Sequence, residues 1–272
     1  MKQNKRVTGK EQYYTPEQTA IECINLLDEV HRGEFYLEPA GGTGAFIDPL
    51  IELNRNVVSY DIEPKHSSVQ QTEDFLLEDL SHLSDVITIS NPPFGRANKL
   101  CIPFFNKCAE VSTHIGFLIP KSWRKWSVIN RLDKRFHLVS DTELTVDFIH
   151  PSQEKKSKGK LNTIFQVWEK RDELRETISV EDRNYITKTN PDDADVSLTV
   201  FGRGCGKLKE EFPRVPNTTQ MFLKCNEPWV VDALKTVDFS RFYNNVAFVE
   251  ALSIKEINFL LNEHKDFGTK NS

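Results

Sequence analysis

Along the first 170 residues, stretches of apolar residues alternate with stretches where apolar positions recur at helical spacing. Within Asp85-Val86-Ile87-Thr88-Ile89-Ser90 the four central residues form a continuous β-branched run, the pattern of a buried strand. From Arg96 to Val111 the spacing turns helical. Upstream, Glu34-Phe35-Tyr36-Leu37 predicts a strand, Gly41-Gly42-Thr43-Gly44 a turn, and the residues through about Leu53 a helix. Asn56-Val57-Val58-Ser59-Tyr60 predicts a second strand and Ile115 to Pro120 a fifth. A sixth strand from His137 through Val146 and a seventh from Leu161 to Trp168 are expected to pair as a hairpin. A first helix presents Ile21, Ile24, Leu27 and Val30 on one face, with Thr15 and Gln18 predicted to form a capping box and Pro16 to take its first position. Such alternation belongs to an α/β fold with a mostly parallel sheet.

Beyond residue 170 the pattern changes. Glu169 to Arg183 is strongly charged and reads as a linker or helix, and residues 184–272 lack the earlier regularity. Val196 to Phe201 and Met221 to Lys224 predict strands. Between them Gly202-Arg203-Gly204-Cys205-Gly206-Lys207 is a basic loop, either a phosphate contact or a plain hairpin connection. Ser253 with Glu256 predicts the cap of a last helix whose Ile254, Ile257, Leu260 and Leu261 face inward.

Composition narrows the classes. The 272 residues suffice for one large domain or two smaller ones, and 28% charged with 38% hydrophobic is ordinary for a globular chain. A net charge of −5 and a pI near 5.9 argue against non-specific nucleic-acid binding, so such contacts need local basic patches. No apolar run is long enough to cross a bilayer, and the polar start Met1-Lys2-Gln3-Asn4-Lys5-Arg6 leads into no apolar signal region. The five cysteines show neither Cys-x-x-Cys pairs nor histidines at zinc spacing, so reduced thiols, no metal and a cytoplasmic setting are expected.

Candidate chemistry concentrates at Asn91-Pro92-Pro93-Phe94-Gly95, directly after the buried run. Each proline fixes φ, and the residue before a proline is held extended. The result is a stiff loop offering the Asn91 amide oxygen and the Pro92 carbonyl as acceptors, with the flat face of Phe94 beside them. Two acceptors and a stacking ring suit an exocyclic amine on a planar base. An ordinary strand-to-helix turn accounts for the prolines equally well. At the glycine bend, the dinucleotide fingerprint lacks its last glycine because Ile47 stands there, and no Walker lysine follows. Glu38 at that strand end favours a cation over a phosphate. Asp61 at the end of the second strand is the expected partner of ribose hydroxyls, with Glu63 as second choice. Asp74 precedes Phe75 either to meet an adenine amine or simply to cap a helix from Phe75 to Leu80.

Taken in order, Thr15-Pro16, Glu38-Pro39-Ala40-Gly41-Gly42-Thr43-Gly44, Asp61, Asp74-Phe75 and Asn91-Pro92-Pro93-Phe94 resemble the S-adenosylmethionine-dependent adenine-N6 DNA methyltransferases of bacteria and phages, over about residues 11–170. The resemblance implies a Rossmann-like seven-stranded sheet with helices on both faces over residues 1–170, and a small α+β target-recognition region over residues 171–272. It implies a cofactor site from Tyr14, Thr15, Glu38, Pro39, Ala40, Gly41, Gly42, Gly44, Asp61, Ile62, Asp74 and Phe75. Thr15 would meet the methionine carboxylate, Glu38 its amine, Asp61 the ribose, and Asp74 with Phe75 the adenine. Asn91, Pro92, Pro93 and Phe94 would grip the target base, flipped out of a duplex at a cost of a few kcal/mol. DNA is the expected partner, with RNA as the alternative and a cognate restriction nuclease as a further partner the resemblance admits.

Lys121, Trp123, Arg124 and Lys125, followed by Arg131, Lys134 and Arg135, interleave cations with aromatics and read as a nucleic-acid surface or as an amphipathic helix in equal measure. Arg203 and the lysine-rich run from Gln153 to Lys160 are further phosphate contacts to consider, and Phe165 is expected to edge the target base. No cysteine follows a proline, which removes the covalent route to cytosine C5. Cytosine-N4 methylation stays open behind the adenine reading. The basic–aromatic segment favours nucleic acid over a protein glutamine acceptor, and a catalytically silent binding module is disfavoured, since it has no need of cofactor turn, ribose acid and acceptor loop together.

Overall fold

The computed structural model describes residues 13–95, 98–149 and 161–268. The polar stretch 1–12, Arg96 and the lysine-rich run 153–160 considered above lie outside them. The chain divides into two compact units, one running to Pro120 and resuming over Ser127–Glu176, the other made of Lys121–Trp126 and everything from Thr177 onward. The first unit runs on past residue 170 because the Arg171 N–H donates to the Arg135 carbonyl and the Arg175 N–H to the Lys134 carbonyl, both at 2.8 Å.

The first unit contains, in chain order, α1 (Glu17–Val30), β1 (Phe35–Glu38), α2 (Ile47–Glu52), β2 (Asn56–Asp61), β3 (Gln70–Gln71), β4 (Val86–Ser90), α3 (Cys101–Cys108) and β5 (Ser112–Pro120). The one-turn α4 (Trp126–Ile129) falls at the division, and β6 (Phe136–Leu144) and β7 (Thr163–Lys170) complete the unit. The sheet has the order β3-β2-β1-β4-β5-β7-β6. Strands β3, β2, β1, β4 and β5 run parallel, whereas β7 is antiparallel to both neighbours. This is the expected Rossmann-like α/β sheet, and the β6–β7 hairpin is present.

Alternation along the buried strands sends side chains to two helical layers. Ile87, Ile89, Leu118, Phe165 and Val167 join Ala20, Cys23, Ile24 and Leu27 of α1 and Leu50 of α2 in one core. On the other face Phe105 of α3 meets Phe117, Phe136 and Trp168 edge-on at 5.6–5.8 Å. Close packing on the α1 face is fixed by Gly116: a Cβ added to it would stand 2.7 Å from the Phe165 ring and 3.5 Å from Leu27. Phe165 is therefore sealed in the core and cannot edge a base.

Three local expectations change. Pro16 sits at the N-cap of α1 rather than inside it, and no side chain caps that helix, so the Thr15–Gln18 box is not formed. The helix predicted from Arg96 contracts to Cys101–Cys108, because Gly95 and Asn98 adopt φ of 65° and 61°, a left-handed geometry that a helix cannot continue. The predicted helix from Phe75 is a single 3-10 turn, Phe75–Leu77.

The second unit contains β8 (Ile186–Lys188), β9 (Val196–Thr199), β10 (Leu208–Lys209), β11 (Gln220–Cys225), α5 (Val230–Thr236), α6 (Ser240–Tyr243) and α7 (Ile254–Gly268). Its antiparallel sheet has the order β10-β9-β11-β8, and Leu198, Leu223, Val230, Leu234, Ile257 and Leu261 form its core. The predicted capping box closes α7: the Ser253 N–H donates to Glu256 Oε2 at 2.7 Å and the Glu256 N–H to Ser253 Oγ at 3.4 Å. The charged stretch after Lys170 forms no helix and is an irregular linker. Among the described residues no helix is long and apolar enough to cross a membrane, and no group of three or more ligating side chains is placed to hold a metal ion.

Candidate active site

The C-terminal ends of β1, β2 and β4 surround a pocket of about 740 Å³, part of it open to solvent. Tyr14, Pro39, Ala40, Gly42, Asp61, Ile62, Phe75, Asn91, Pro92, Pro93 and Phe94, all singled out from sequence, line it. Residues 50 or more positions apart in the chain meet here because β1 lies between β2 and β4.

The glycine bend is built around Asp61. Its Oδ2 accepts the Gly42 N–H at 2.9 Å and its Oδ1 the Glu63 N–H at 2.7 Å, so one carboxylate staples two loops. The bend is tight enough to demand glycine. A Cβ at Gly41 would stand 2.2 Å from Ser59 Oγ, and one at Gly44, where φ is 86°, would stand 2.6 Å from the His66 ring. Gly41 and Gly44 thus shape the bend from behind rather than line the pocket. At Gly42, with φ of 47°, a Cβ would press on the Tyr14 ring at 3.2 Å.

Glu38 lies beneath this bend, 1% exposed. Its Oε1 accepts the Ser90 hydroxyl at 2.5 Å and the Ala40 N–H at 3.0 Å. Burial pushes its carboxyl up to about 8, the two hydrogen bonds oppose this, and the Asp61 charge adds to it. Among the described residues no cation is among the groups acting on it.

At Asn91 the side-chain amide is aimed. Nδ2 donates to the Tyr13 carbonyl at 2.7 Å, while Oδ1 is shielded from water and has no hydrogen-bond partner among the described residues. A buried amide oxygen left unpaired costs about 1–3 kcal/mol. An incoming N–H donor recovers that cost. Beside it, the Tyr13 ring stacks on Phe94 at 6.1 Å and 26°, and Phe148 meets both rings edge-on at 5.8 and 6.4 Å.

Other predicted residues stand apart. Thr15 is buried but outside the pocket lining. Asp74 is exposed, and its Oδ1 accepts the Leu76 N–H at 3.0 Å, which is the capping role weighed above. Trp123 is completely buried and offers no face for a base, and Lys125 pairs with the buried Glu256 at 3.0 Å. Lys121 and Arg124 are half-buried on a 3-10 turn, and all four residues belong to the second unit, not to the one holding the pocket. Arg135 is engaged by Asp133, and Arg131 by the Ser127 carbonyl. Much of the basic–aromatic stretch is therefore structural. Arg203 is exposed on its glycine loop.

Sequence alone missed Tyr13, Thr72 and Phe104 as lining residues, and Phe148 as the ring beside Phe94. Phe104 had a signal, since it lies on the apolar helix after the diproline loop, where it packs on Phe75 at 5.2 Å. Tyr13 had only its place beside Tyr14.

The fold and the pocket together define a Rossmann-like α/β protein with a pocket at the carboxyl ends of its strands, lined in part by Gly42, Asp61 and Glu63. No family model matches the sequence, and no curated protein does. Among solved structures the chain is similar to a candidate RNA methyltransferase from Pyrococcus horikoshii, with TM-score 0.46, 20% identity, and 60% of this chain and 88% of that one covered. It is also similar to the modification subunit of a candidate type I restriction enzyme from Vibrio vulnificus, with TM-score 0.41, 12% identity, 95% of this chain and 63% of that one. A third is magnesium protoporphyrin IX methyltransferase from Synechocystis, solved with S-adenosylmethionine bound, with TM-score 0.40, 12% identity, 59% of this chain and 79% of that one. These likenesses are distant, and the functional reading rests on this chain's own residues.

Proposed function

We propose that this chain is an S-adenosylmethionine-dependent methyltransferase that modifies the exocyclic N6 amine of adenine in DNA. The observation that carries the proposal is the Asn91 amide oxygen, buried, unpaired and held in place through its own NH₂ group. The bend and the carboxyl beneath it suit the cofactor on two counts. A buried carboxyl at Glu38, raised by that burial, suits an ammonium group, and at Gly42, where φ is 47°, a Cβ would crowd the Tyr14 ring. When bound, S-adenosylmethionine supplies a methyl group made electrophilic by its sulfonium.

Glu38 then pairs with the ammonium group, Asp61 holds the ribose hydroxyls, and Phe75 packs on the adenine of the cofactor. Asn91 Oδ1 and the Pro92 carbonyl accept the two hydrogens of the target amine and free the nitrogen lone pair for attack. Their fixed dipoles stabilise the positive charge that develops on that nitrogen, so no strong base is needed. A planar base is favoured over a peptide amide by the rings of Phe94, Tyr13 and Phe148 beside Asn91. A base stacking on Phe94 replaces the Tyr13 contact, a trade of about 0.5–1.5 kcal/mol in each direction.

Incubation with tritiated S-adenosylmethionine and separate DNA, RNA and protein acceptors tests this directly. Label in N6-methyl-2′-deoxyadenosine of digested DNA is expected. Label confined to RNA, to N4-methylcytosine or to glutamine would reassign the acceptor, and no label in any polymer would end the proposal. Asp61→Ala is expected to weaken cofactor binding by at least tenfold, because it removes a ribose partner and unstaples the bend; this follows from a charged hydrogen bond being worth about 1.5–3 kcal/mol. Unchanged affinity by calorimetry would shift the ribose contact to Glu63.

A further inference from the structure

We propose that Ser90 is a positioning residue which ties the carboxylate meant for the cofactor's ammonium group to the loop that grips the acceptor amine. The inference rests on the methyl-transfer reading above. Ser90 is the last residue of β4 and is fully buried; Asn91 follows it immediately. Its hydroxyl donates to Glu38 Oε1 at 2.5 Å, across 52 residues of sequence, joining the ends of two neighbouring parallel strands. One hydroxyl thus orients the Glu38 carboxyl and fixes the backbone from which Asn91 departs.

The rest of the surroundings sharpens this role. From β1's own loop the Ala40 N–H meets the same oxygen at 3.0 Å. From β2 the Asp61 carboxylate opposes ionisation of Glu38, and from α3 the Cys108 thiol, itself pushed up by burial, feels the Glu38 charge. Ser90 and Ala40 are the groups that favour the ionised carboxylate. Removing the hydroxyl leaves one donor against burial and Asp61, and an ammonium then meets a carboxyl that holds its proton more tightly.

The test is calorimetric titration of S-adenosylmethionine into the full chain between about pH 6 and 9, with Ser90→Ala, Ser90→Thr, Glu38→Gln and the double variant Ser90→Ala/Glu38→Gln. Ser90→Ala is expected to lose about tenfold in affinity at neutral pH, the worth of a charged hydrogen bond. Its affinity should also recover at higher pH than in the parent. Ser90→Thr, which keeps the hydroxyl, should restore both. In the Glu38→Gln background, Ser90→Ala should cost less than about twofold, since the ionisation it supports is gone. A Ser90→Ala protein with the parent's affinity and pH profile overturns the proposal. So does an equal loss with and without Glu38, which would mark Ser90 as packing alone. A parent chain that takes up no S-adenosylmethionine at any pH fails the methyl-transfer reading itself, a result distinct from either.

Discussion

Asn91→Ala is expected to reduce methyl transfer by about 10²–10³-fold or more while leaving cofactor affinity within about threefold of the parent. The asymmetry follows from where the residue sits. Asn91 follows β4, and its amide serves the acceptor side of the pocket, whereas the groups proposed for the cofactor come from β1, the glycine bend and the end of β2. Alanine removes an acceptor whose worth grows as charge builds on the amine nitrogen, so the loss falls on kcat more than on KM. Folding should survive, because the substitution also removes a buried oxygen that has no partner. Single-turnover rates with tritiated cofactor, beside calorimetry, check both halves. Equal turnover in the variant would refute the role given to Asn91.

The second large effect is expected at Glu38, as a dependence on pH. Its folded carboxyl is raised from an ordinary 4.5 to about 8. Between those values the folded chain holds a proton that the unfolded chain has released, so raising the pH favours unfolding. The stability this carboxyl contributes is full below about 4.5 and is lost as pH climbs through about 8. The loss is on the order of 5 kcal/mol for the free protein. Glu38→Gln, which cannot titrate, should flatten that part of the profile, and the difference between the two denaturation series isolates it. Cofactor binding should reverse the shift, because an ammonium beside the carboxylate favours ionisation. Binding at pH 7 should then release close to one proton, measurable in buffers of differing ionisation enthalpy and absent in Glu38→Gln. Proton release of the same size in Glu38→Gln would move the effect to another group.

How much of this was legible beforehand differs by element. Strands β1, β2, β4, β5 and β7 announced themselves because strands buried on both faces read as unbroken apolar runs. The two-residue β3 and β10 carry no such run and left no mark. The helix after the diproline loop was overextended because apolar spacing continues through residues whose backbone turns left-handed at Gly95 and Asn98. Phe165 and Trp123 were misjudged for one reason: an aromatic residue has the same letter whether it faces a ligand or the core, and both are sealed by packing.

The order of short motifs was enough to settle the alternating α/β plan, the glycine bend with acids at two strand ends, and a diproline loop after β4, because each depends on backbone geometry that glycine, proline and local periodicity impose. Tertiary structure alone decided which atoms are already committed: Asp61 stapling the bend, Asp74 spent as a cap, Lys125 spent on Glu256, Ser90 joined to Glu38, and Asn91 turned by Tyr13 so that its oxygen is left over. Those commitments join residues up to 131 positions apart, and hydrogen bonds of such span are set by how the elements pack, which no local pattern encodes.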